Sequence, residues 1–269
     1  MSTWALGIAY NGKGYHGWQR QPDRITVQGE LEKALSRIAD KAVTVIVAGR
    51  TDKGVHATGQ VAHFKADVSR SDHDWLRGLN GLTPPSVQVT WVKQVAERFH
   101  ARYSAVSRSY TYLYREVSQD VFLDDFVWCI EPVDVDLMHQ EAQTLLGEHD
   151  FSTFRGSGCQ SVTPMRRVNR ATVRREGAFV VLEIEANAFL LHMVRNIAAA
   201  LYARGCGAEK RSMQQLLALR DRTQAGLTAP PQGLYLSRVS YPDYQLPAPA
   251  PLSWLSPNST FIPPAVPLD

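Results

Sequence analysis

Residues able to do chemistry are concentrated in the stretch Ala48-Gly49-Arg50-Thr51-Asp52-Lys53-Gly54-Val55-His56. An Arg and an Asp two residues apart, a nearby His and two glycines stand between two apolar runs, Val43 to Ala48 and Gln60 to Phe64. The first run reads as a buried strand and the second as another, so the polar stretch is a loop held between rigid elements, where catalytic groups concentrate. A guanidinium beside a carboxylate favours its charged form, and an ionised Asp52 can act as nucleophile, base or metal ligand. Gly49 and Gly54 let the backbone turn tightly or come close to a ligand. Taken alone, the stretch also reads as a polar hairpin in which Arg50 and Asp52 merely pair.

Two other stretches carry chemical potential. Tyr10 to Gln21 is a glycine-rich loop in which Tyr15, His16 and Trp18 are interleaved with Lys13 and Arg20, either a mixture of stacking surfaces and cations suited to RNA or a turn whose Tyr15 and Trp18 plug the core. Tyr110, Tyr112 and Tyr114 alternate, so on a strand they share one face. Packing accounts for two of the three; the third could stack on a base with its hydroxyl free to handle a proton. Arg195, inside the apolar segment Leu190 to Tyr202, demands a partner because an unpaired buried charge is costly, and Asp52 is a candidate.

These residues have to be positioned by a fold. Trp4 to Tyr10 reads as a first strand, and Thr26 caps a helix over Val27 to Ala39 whose Val27, Leu31, Leu35 and Ile38 form one apolar stripe. A helix over Asp72 to Leu82 stops at Pro84-Pro85, and Val87 to Val95 is a strand. Later come helices over Asp136 to Leu146, Leu190 to Tyr202 and Ser212 to Arg220. A hairpin joins Asn169–Glu176 to Phe179–Ala186, and a last strand runs from Gly233 to Ser240. The recurrence of strand, helix, strand, strand suggests two α+β halves sharing a sheet. The expected divisions are residues 1–104, 105–245 and a tail of 246–269. From Pro242 onward there are eight prolines, so the tail should be extended, packed through Trp254 and Phe261 or disordered.

Composition narrows the class. With 269 residues, 44% of them hydrophobic, the chain can bury a sizeable core. No run of about 18 apolar residues occurs, so no membrane span is expected. The first residues lack a basic region followed by an apolar one, so no signal peptide is expected either. Three scattered cysteines, Cys129, Cys159 and Cys206, argue against a disulfide framework and fit a reducing cytoplasm. Net charge is only +3 but unevenly spread. Ser118 to Asp150 holds nine acids and no Lys or Arg, whereas Arg155 to Arg175 holds six Arg and no acid. The Arg block suits phosphate backbones; the alternative is a solvated face neutralised by the acidic block.

Six segments, in order, resemble the TruA family of tRNA pseudouridine synthases. Tyr10 to Gln21 resembles Y-D-G-x-x-Y-x-G-W-Q-x-Q, with Asn11 where the family usually has Asp. Ala48 to His56 resembles A-G-R-T-D-x-G-V-H, and Phe99 to Tyr112 resembles F-H-A-R-x-S-A-x-x-R-x-Y-x-Y. Glu148 to Phe151, Asn187 to Asn196 and Gly233 to Leu236 match further segments, so that residues 3 to 245 are covered. The resemblance implies an α/β (α+β) fold: two related halves sharing a central mixed, largely antiparallel sheet, with the active-site cleft between them. It implies isomerisation of uridine to pseudouridine at nucleotides 38, 39 and 40 of the tRNA anticodon stem-loop, without cofactor or metal, by a homodimer holding tRNA across both subunits. Asp52 then matches the catalytic aspartate. Tyr110 matches the tyrosine that stacks on the target uracil. Arg50 matches the arginine that holds the carboxylate, contacts phosphate or fills the gap left by the flipped base, and Arg195 the basic partner of the aspartate. His56 falls to a structural hydrogen-bonder. Two other classes are open to the same residues: a metal-dependent hydrolase using Asp52, His56 and His63, and a non-catalytic RNA-binding module built on the Arg block and the tyrosine strand.

Overall fold

The computed structural model describes residues 1–116 and 121–252. In chain order the elements are β1 (Ser2–Tyr10), α1 (Val27–Ala39), β2 (Ile46–Val47), β3 (His56–Ala66), α2 (Asp72–Asn80), β4 (Val87–Val95), β5 (Ser107–Arg115), β6 (Trp128–Cys129), α3 (Val135–Gln143), β7 (Gly147–Asp150), β8 (Met165–Glu176), β9 (Phe179–Ala186), α4 (Met193–Gly205), α5 (Met213–Leu219) and β10 (Leu234–Ser240). Among the described residues the strands form one sheet in the order β4-β1-β3-β10-β5-β9-β8-β7, with β2 on β3 and β6 on β5. Pairing is antiparallel throughout except between β10 and β3 and between β5 and β6. The expected mixed, largely antiparallel sheet is therefore present.

The last strand in sequence lies at the middle of the sheet. Tyr235 and Leu236 of β10 pair with His56 and Ala57 at the start of β3, and Leu236 pairs with Tyr110 of β5 on the other side. The start of β3 follows directly on the Asp52 loop. One inserted strand thus brings the loop and the tyrosine strand within two strand spacings, about 10 Å.

Local sequence explains most element boundaries. Thr26 Oγ1 accepts the Gly29 N–H and starts α1, whose Val27, Leu31 and Leu35 are buried as the stripe requires. Ser71 and Asp74 form a reciprocal capping box at α2, which ends at Asn80 rather than Leu82. The Asn80 amide instead pairs with both backbone groups of Val89.

Two expectations need correction. The run Val43 to Ala48 is not a continuous buried strand: pairing with β3 is confined to Ile46 and Val47 and the Ala48 N–H, which donates to Val61 O at 2.8 Å, and Ile46 is exposed. The N–H groups of Val43 and Val45 go instead to side chains of α1, Ser36 Oγ at 2.9 Å and Glu32 Oε1 at 3.0 Å. The helix expected from Leu190 begins at Met193, because His192 adopts a left-handed backbone with φ 59°.

On β5, Tyr112 and Tyr114 are buried and their hydroxyls donate to Pro230 O and Ala198 O, confirming two of the three tyrosines as packing residues. In the tail, Tyr244 packs edge-on against Phe99; the expected anchors Trp254 and Phe261 lie outside the described residues.

Candidate active site

The Asp52 loop is clasped on every side. Arg108 on β5 donates to Ala48 O at 3.0 Å and also to the carbonyls of Arg102, Ala105 and Asn187, tying three segments to one guanidinium. Gln60 Nε2 donates to Gly49 O at 2.7 Å. The Tyr10 hydroxyl meets Thr51 Oγ1 at 2.8 Å, and burial pushes its pKa up to about 12, so it remains a neutral hydrogen-bonding group. The Tyr10–Gln21 loop lies across the Asp52 loop, with Trp18 N–H donating to Thr51 O. Gly17 makes this approach possible: its φ is 84°, and a Cβ there would stand 2.7 Å from Thr51 O. Asn11, the departure from the family pattern, accepts the Lys13 N–H on its side-chain oxygen and so shapes the turn of this loop.

Asp52 projects into a cleft of about 1410 Å³ lined from both sides of the sheet's centre. Its Oδ2 is approached by His192 Nε2 at 3.4 Å and by Arg195 Nη1 at 3.7 Å. Arg195 is anchored by donation from Nε to Ala229 O at 2.7 Å, so its guanidinium cannot swing away without losing that bond. Burial lowers its pKa and the Asp52 charge raises it again; a guanidinium remains cationic under either influence. The buried arginine has the partner the sequence demanded.

Tyr110 forms part of the cleft wall, with its ring edge-on to Phe189 at 5.0 Å. Burial first, and the neighbourhood of Tyr10 and Asp52 after it, raise its pKa well above the ordinary tyrosine value. It is therefore a phenol at neutral pH, and among the described residues its hydroxyl has no hydrogen-bond partner. Gly49 borders the space above it, since a Cβ there would meet only the Tyr110 hydroxyl, at 3.9 Å.

Arg50 behaves differently from the expectation drawn from its spacing. It is exposed on the cleft wall, and the ion-pair partners of Asp52 among the described residues are His192 and Arg195. Of the three uses considered for Arg50, those directed at RNA remain and holding the carboxylate does not.

His192 is the site residue that sequence reasoning passed over, as one polar member of an apolar helix. Its partly exposed ring lowers its pKa through burial, against the opposing pull of Asp52, and Arg195 and Arg222 add to the lowering. The available signal was its position three residues before Arg195 at the start of that segment, which places both on one side of the first turn.

His56 is structural, as expected. Its Nδ1 accepts the Gly12 N–H at 2.9 Å, its Nε2 lies 3.0 Å from Asp125 O, and its ring stacks on Tyr235 at 4.8 Å. Since Nδ1 accepts, Nε2 carries the proton and donates. His63 accepts the Ala101 N–H instead of facing Asp52. Among the described residues no three His, Cys, Asp or Glu side chains cluster as metal ligands, so the hydrolase constellation is not assembled.

The Arg block divides. Arg170, Arg174 and Arg175 pair with Glu183, Glu176 and Glu116, acids outside the Ser118–Asp150 segment that was expected to neutralise them. Arg166 is buried and donates to the Thr163 carbonyl, so it braces a loop and is not a free phosphate grip. Arg167 is exposed, with no ion-pair partner among the described residues.

Comparison with known proteins bears on the same segments. A sequence profile of the tRNA pseudouridine synthase family matches residues 7–104 and 142–242. The chain belongs to that family. Asp52, Arg50 and Arg195 lie inside the matched ranges, and Tyr110 lies between them. Among relatives, the tRNA pseudouridine synthase A of Aeromonas hydrophila is 54% identical over 88% of this chain and 90% of its own length. That of Methylococcus capsulatus is 51% identical over 89% of both chains. That of Coxiella burnetii is 49% identical over 92% of this chain and 96% of its own. Family membership thus rests on nearly the full described chain, and both walls of the cleft fall within it.

Proposed function

We propose that the chain isomerises uridine to pseudouridine in tRNA, at nucleotides 38, 39 and 40 of the anticodon stem-loop, with Asp52 as the reacting carboxylate. The observation that carries this is the facing of three groups in one cleft: a carboxylate held at one oxygen, a cation behind it and a phenol with an open hydroxyl. The reaction breaks the bond between C1′ and N1, turns the base and joins C5 to C1′. Both contacts to Asp52 are made at Oδ2, which leaves Oδ1 for covalent attack or for stabilising positive charge as the glycosidic bond opens. A uridine stacked in a helix cannot reach this carboxylate, so it flips into the cleft. Tyr110 supplies a surface for the uracil ring. Because burial keeps it a phenol, its hydroxyl can take the C5 proton only while passing its own onward. Arg50, exposed on the wall, contacts phosphate or occupies the place of the flipped base.

We further read residues 1–104 and 105–245 as two halves that each supply one wall, and two copies of the chain as jointly holding one tRNA in the cytoplasm. Sedimentation of the free protein tests the pairing of copies.

The deciding experiment incubates the protein with unmodified tRNA and maps pseudouridine by carbodiimide chemistry. Product at 38 to 40 that survives EDTA supports the reading, and its absence with every tRNA would return the chain to the class of non-catalytic RNA-binding modules. Asp52→Ala should abolish product while leaving tRNA binding largely intact; substantial residual turnover would falsify the assignment of Asp52.

A further inference from the structure

A column of aromatic rings leads from the core to the rim of the cleft. Phe99 and His63, both buried, meet edge-to-face at 5.9 Å; His63 meets His100 at 4.9 Å; and His100 stacks on Tyr103 at 4.3 Å with an interplanar angle of 29°. The column ends in solvent, for Tyr103 is 76% exposed. We propose that Tyr103 is a stacking platform for an RNA base flanking the flipped uridine, the next ring in this column when tRNA occupies the cleft.

Three observations support that assignment, which rests on the tRNA reading above. First, the platform is built in advance. His100 Nδ1 accepts the N–H groups of both Arg102 and Tyr103 at 3.2 Å, and Ser104 closes the turn by accepting the His100 N–H and donating its own to His100 O. The imidazole is thereby fixed against the Tyr103 ring, and little rotamer freedom remains to be lost on binding. Arg108 then ties the turn to the catalytic loop, bonding Arg102 O and Ala48 O with the same nitrogen. The platform and Asp52 therefore keep a fixed spacing.

Second, the surroundings select a polyanion. Tyr103 shares the cleft lining with Arg50, Lys53 and Arg102, and Asp52 is the only carboxylate among the lining residues. The exposed Arg102 guanidinium lies over the Tyr103 ring, 5.7 Å from its centroid, a cation–π contact that an incoming base would replace while the cation turns to the phosphate of the stacked nucleotide. An exposed apolar side chain is ordinary by itself; one held rigid on a cationic cleft wall is a site for a base.

Third, catalysis creates the need. Extracting a uridine leaves its neighbours unstacked, and an aromatic surface close to the carboxylate recovers that stacking.

The test uses full-length protein, an unmodified anticodon stem-loop RNA and the variants Tyr103→Ala and Tyr103→Phe. Base stacking on an aromatic residue measured by alanine substitution corresponds to roughly a 5- to 150-fold change, so Tyr103→Ala should raise KM by about ten-fold, with a smaller effect on kcat. Tyr103→Phe, which keeps the ring, should stay within about two-fold of the parent. The slope of affinity against salt should be the same in all three, since no charge is removed. An RNA carrying 2-aminopurine beside the target should be quenched on binding to the parent and to Tyr103→Phe but not to Tyr103→Ala. Unchanged quenching in Tyr103→Ala overturns the platform whether or not any pseudouridine forms, which separates this failure from failure of the functional reading. Equal damage by Phe and Ala also overturns it, by assigning the effect to the hydroxyl; so does a shallower salt slope, by assigning it to Arg102.

Discussion

Acidification should loosen the clasp over the Asp52 loop, and His56 is where the effect is most easily traced. This ring is 2% exposed, and burial lowers its pKa to about 4 despite the opposing hydrogen bond with Asp125 O. The unfolded chain takes up its proton near the ordinary value of about 6.5, so as pH falls the unfolded state binds protons first and stability is lost. The stabilisation from keeping His56 neutral is complete above about pH 6.5 and disappears progressively toward pH 4. With those two values, the loss between about pH 8 and about pH 5 is about 2 kcal/mol for this one residue. His63 is also lowered to about 4, by burial first and by His100 and Lys65 after it, and would add a comparable loss. Together they remove about 4 kcal/mol, a large part of the 5–15 kcal/mol typical of a folded domain. The local consequence is specific. A proton on Nδ1 would set two N–H groups against each other at the Gly12 contact, pushing the Tyr10–Gln21 loop off the Asp52 loop. Urea unfolding at the two pH values measures the total, and His56→Asn isolates the share. An Asn can still accept from Gly12 but does not titrate, so this variant should be less stable than the parent at pH 8 and lose about 2 kcal/mol less on acidification. An identical pH dependence in parent and variant would refute the assignment.

Replacing Tyr110 by Phe keeps the ring edge on Phe189 and removes the hydroxyl; RNA binding should persist while kcat falls by about 100-fold or more, as for loss of a proton-transfer group. Full single-turnover activity would reduce Tyr110 to a stacking surface. His192→Asn tolerates the left-handed backbone but removes the titrating ring and, being shorter, the Nε2 contact to Asp52, so in pH–rate profiles it should flatten the acid limb that protonation of His192 would impose, with kcat at neutral pH reduced by about ten-fold at most. An acid limb of unchanged shape would assign it elsewhere. Arg167→Gln should weaken tRNA affinity and reduce its salt slope by about one, whereas Arg166→Gln should act through stability, visible as a lower Tm with an unchanged salt slope.

Sequence patterning reached the parts of the fold governed by local physics. The apolar stripe and Thr26 cap defined α1 to the residue, and the expected hairpin is present with β9 as read and β8 starting four residues earlier, at Met165 rather than Asn169. It failed where side chains from elsewhere took over backbone hydrogen bonds. Nothing within Val43 to Ala48 announces that Ser36 and Glu32 will accept two of its N–H groups, so the strand was overdrawn. Nothing in Leu190 to Tyr202 announces a left-handed His192, a conformation that few non-glycine residues adopt. The candidate site was legible in type and in the Arg195–Asp52 pair, but not in the second partner of Asp52, His192. Proximity along the chain suggested that Arg50 holds Asp52, and tertiary structure gives that place to Arg195 and His192 from a helix start more than a hundred residues away.

That substitution of partners follows from the topology. Residues two apart on a turn, such as Arg50 and Asp52, leave the backbone in different directions, and Arg50 points to where a polyanion would lie. A carboxylate paired to a flexible, exposed arginine would change its environment each time that arginine moved to meet RNA. Arg195 has no such freedom, because Ala229 O holds its Nε and the helix behind it packs on β5 through the bond from Tyr114 to Ala198 O. The parallel junction of β3 and β10 makes this arrangement possible, since it sets the loop before β3 beside the strand that carries Tyr110 and beneath the start of α4. With Arg108, Gln60, Thr51 and the Gly17 approach all fixing the same loop, the Asp52 carboxylate sits on a preorganised part of the molecule. On the proposed reaction, the deformation needed to bring base and carboxylate together would therefore fall mainly on the RNA, whose uridine would leave its stack, with the exposed Arg50, Lys53 and Arg102 on the cleft wall able to follow it.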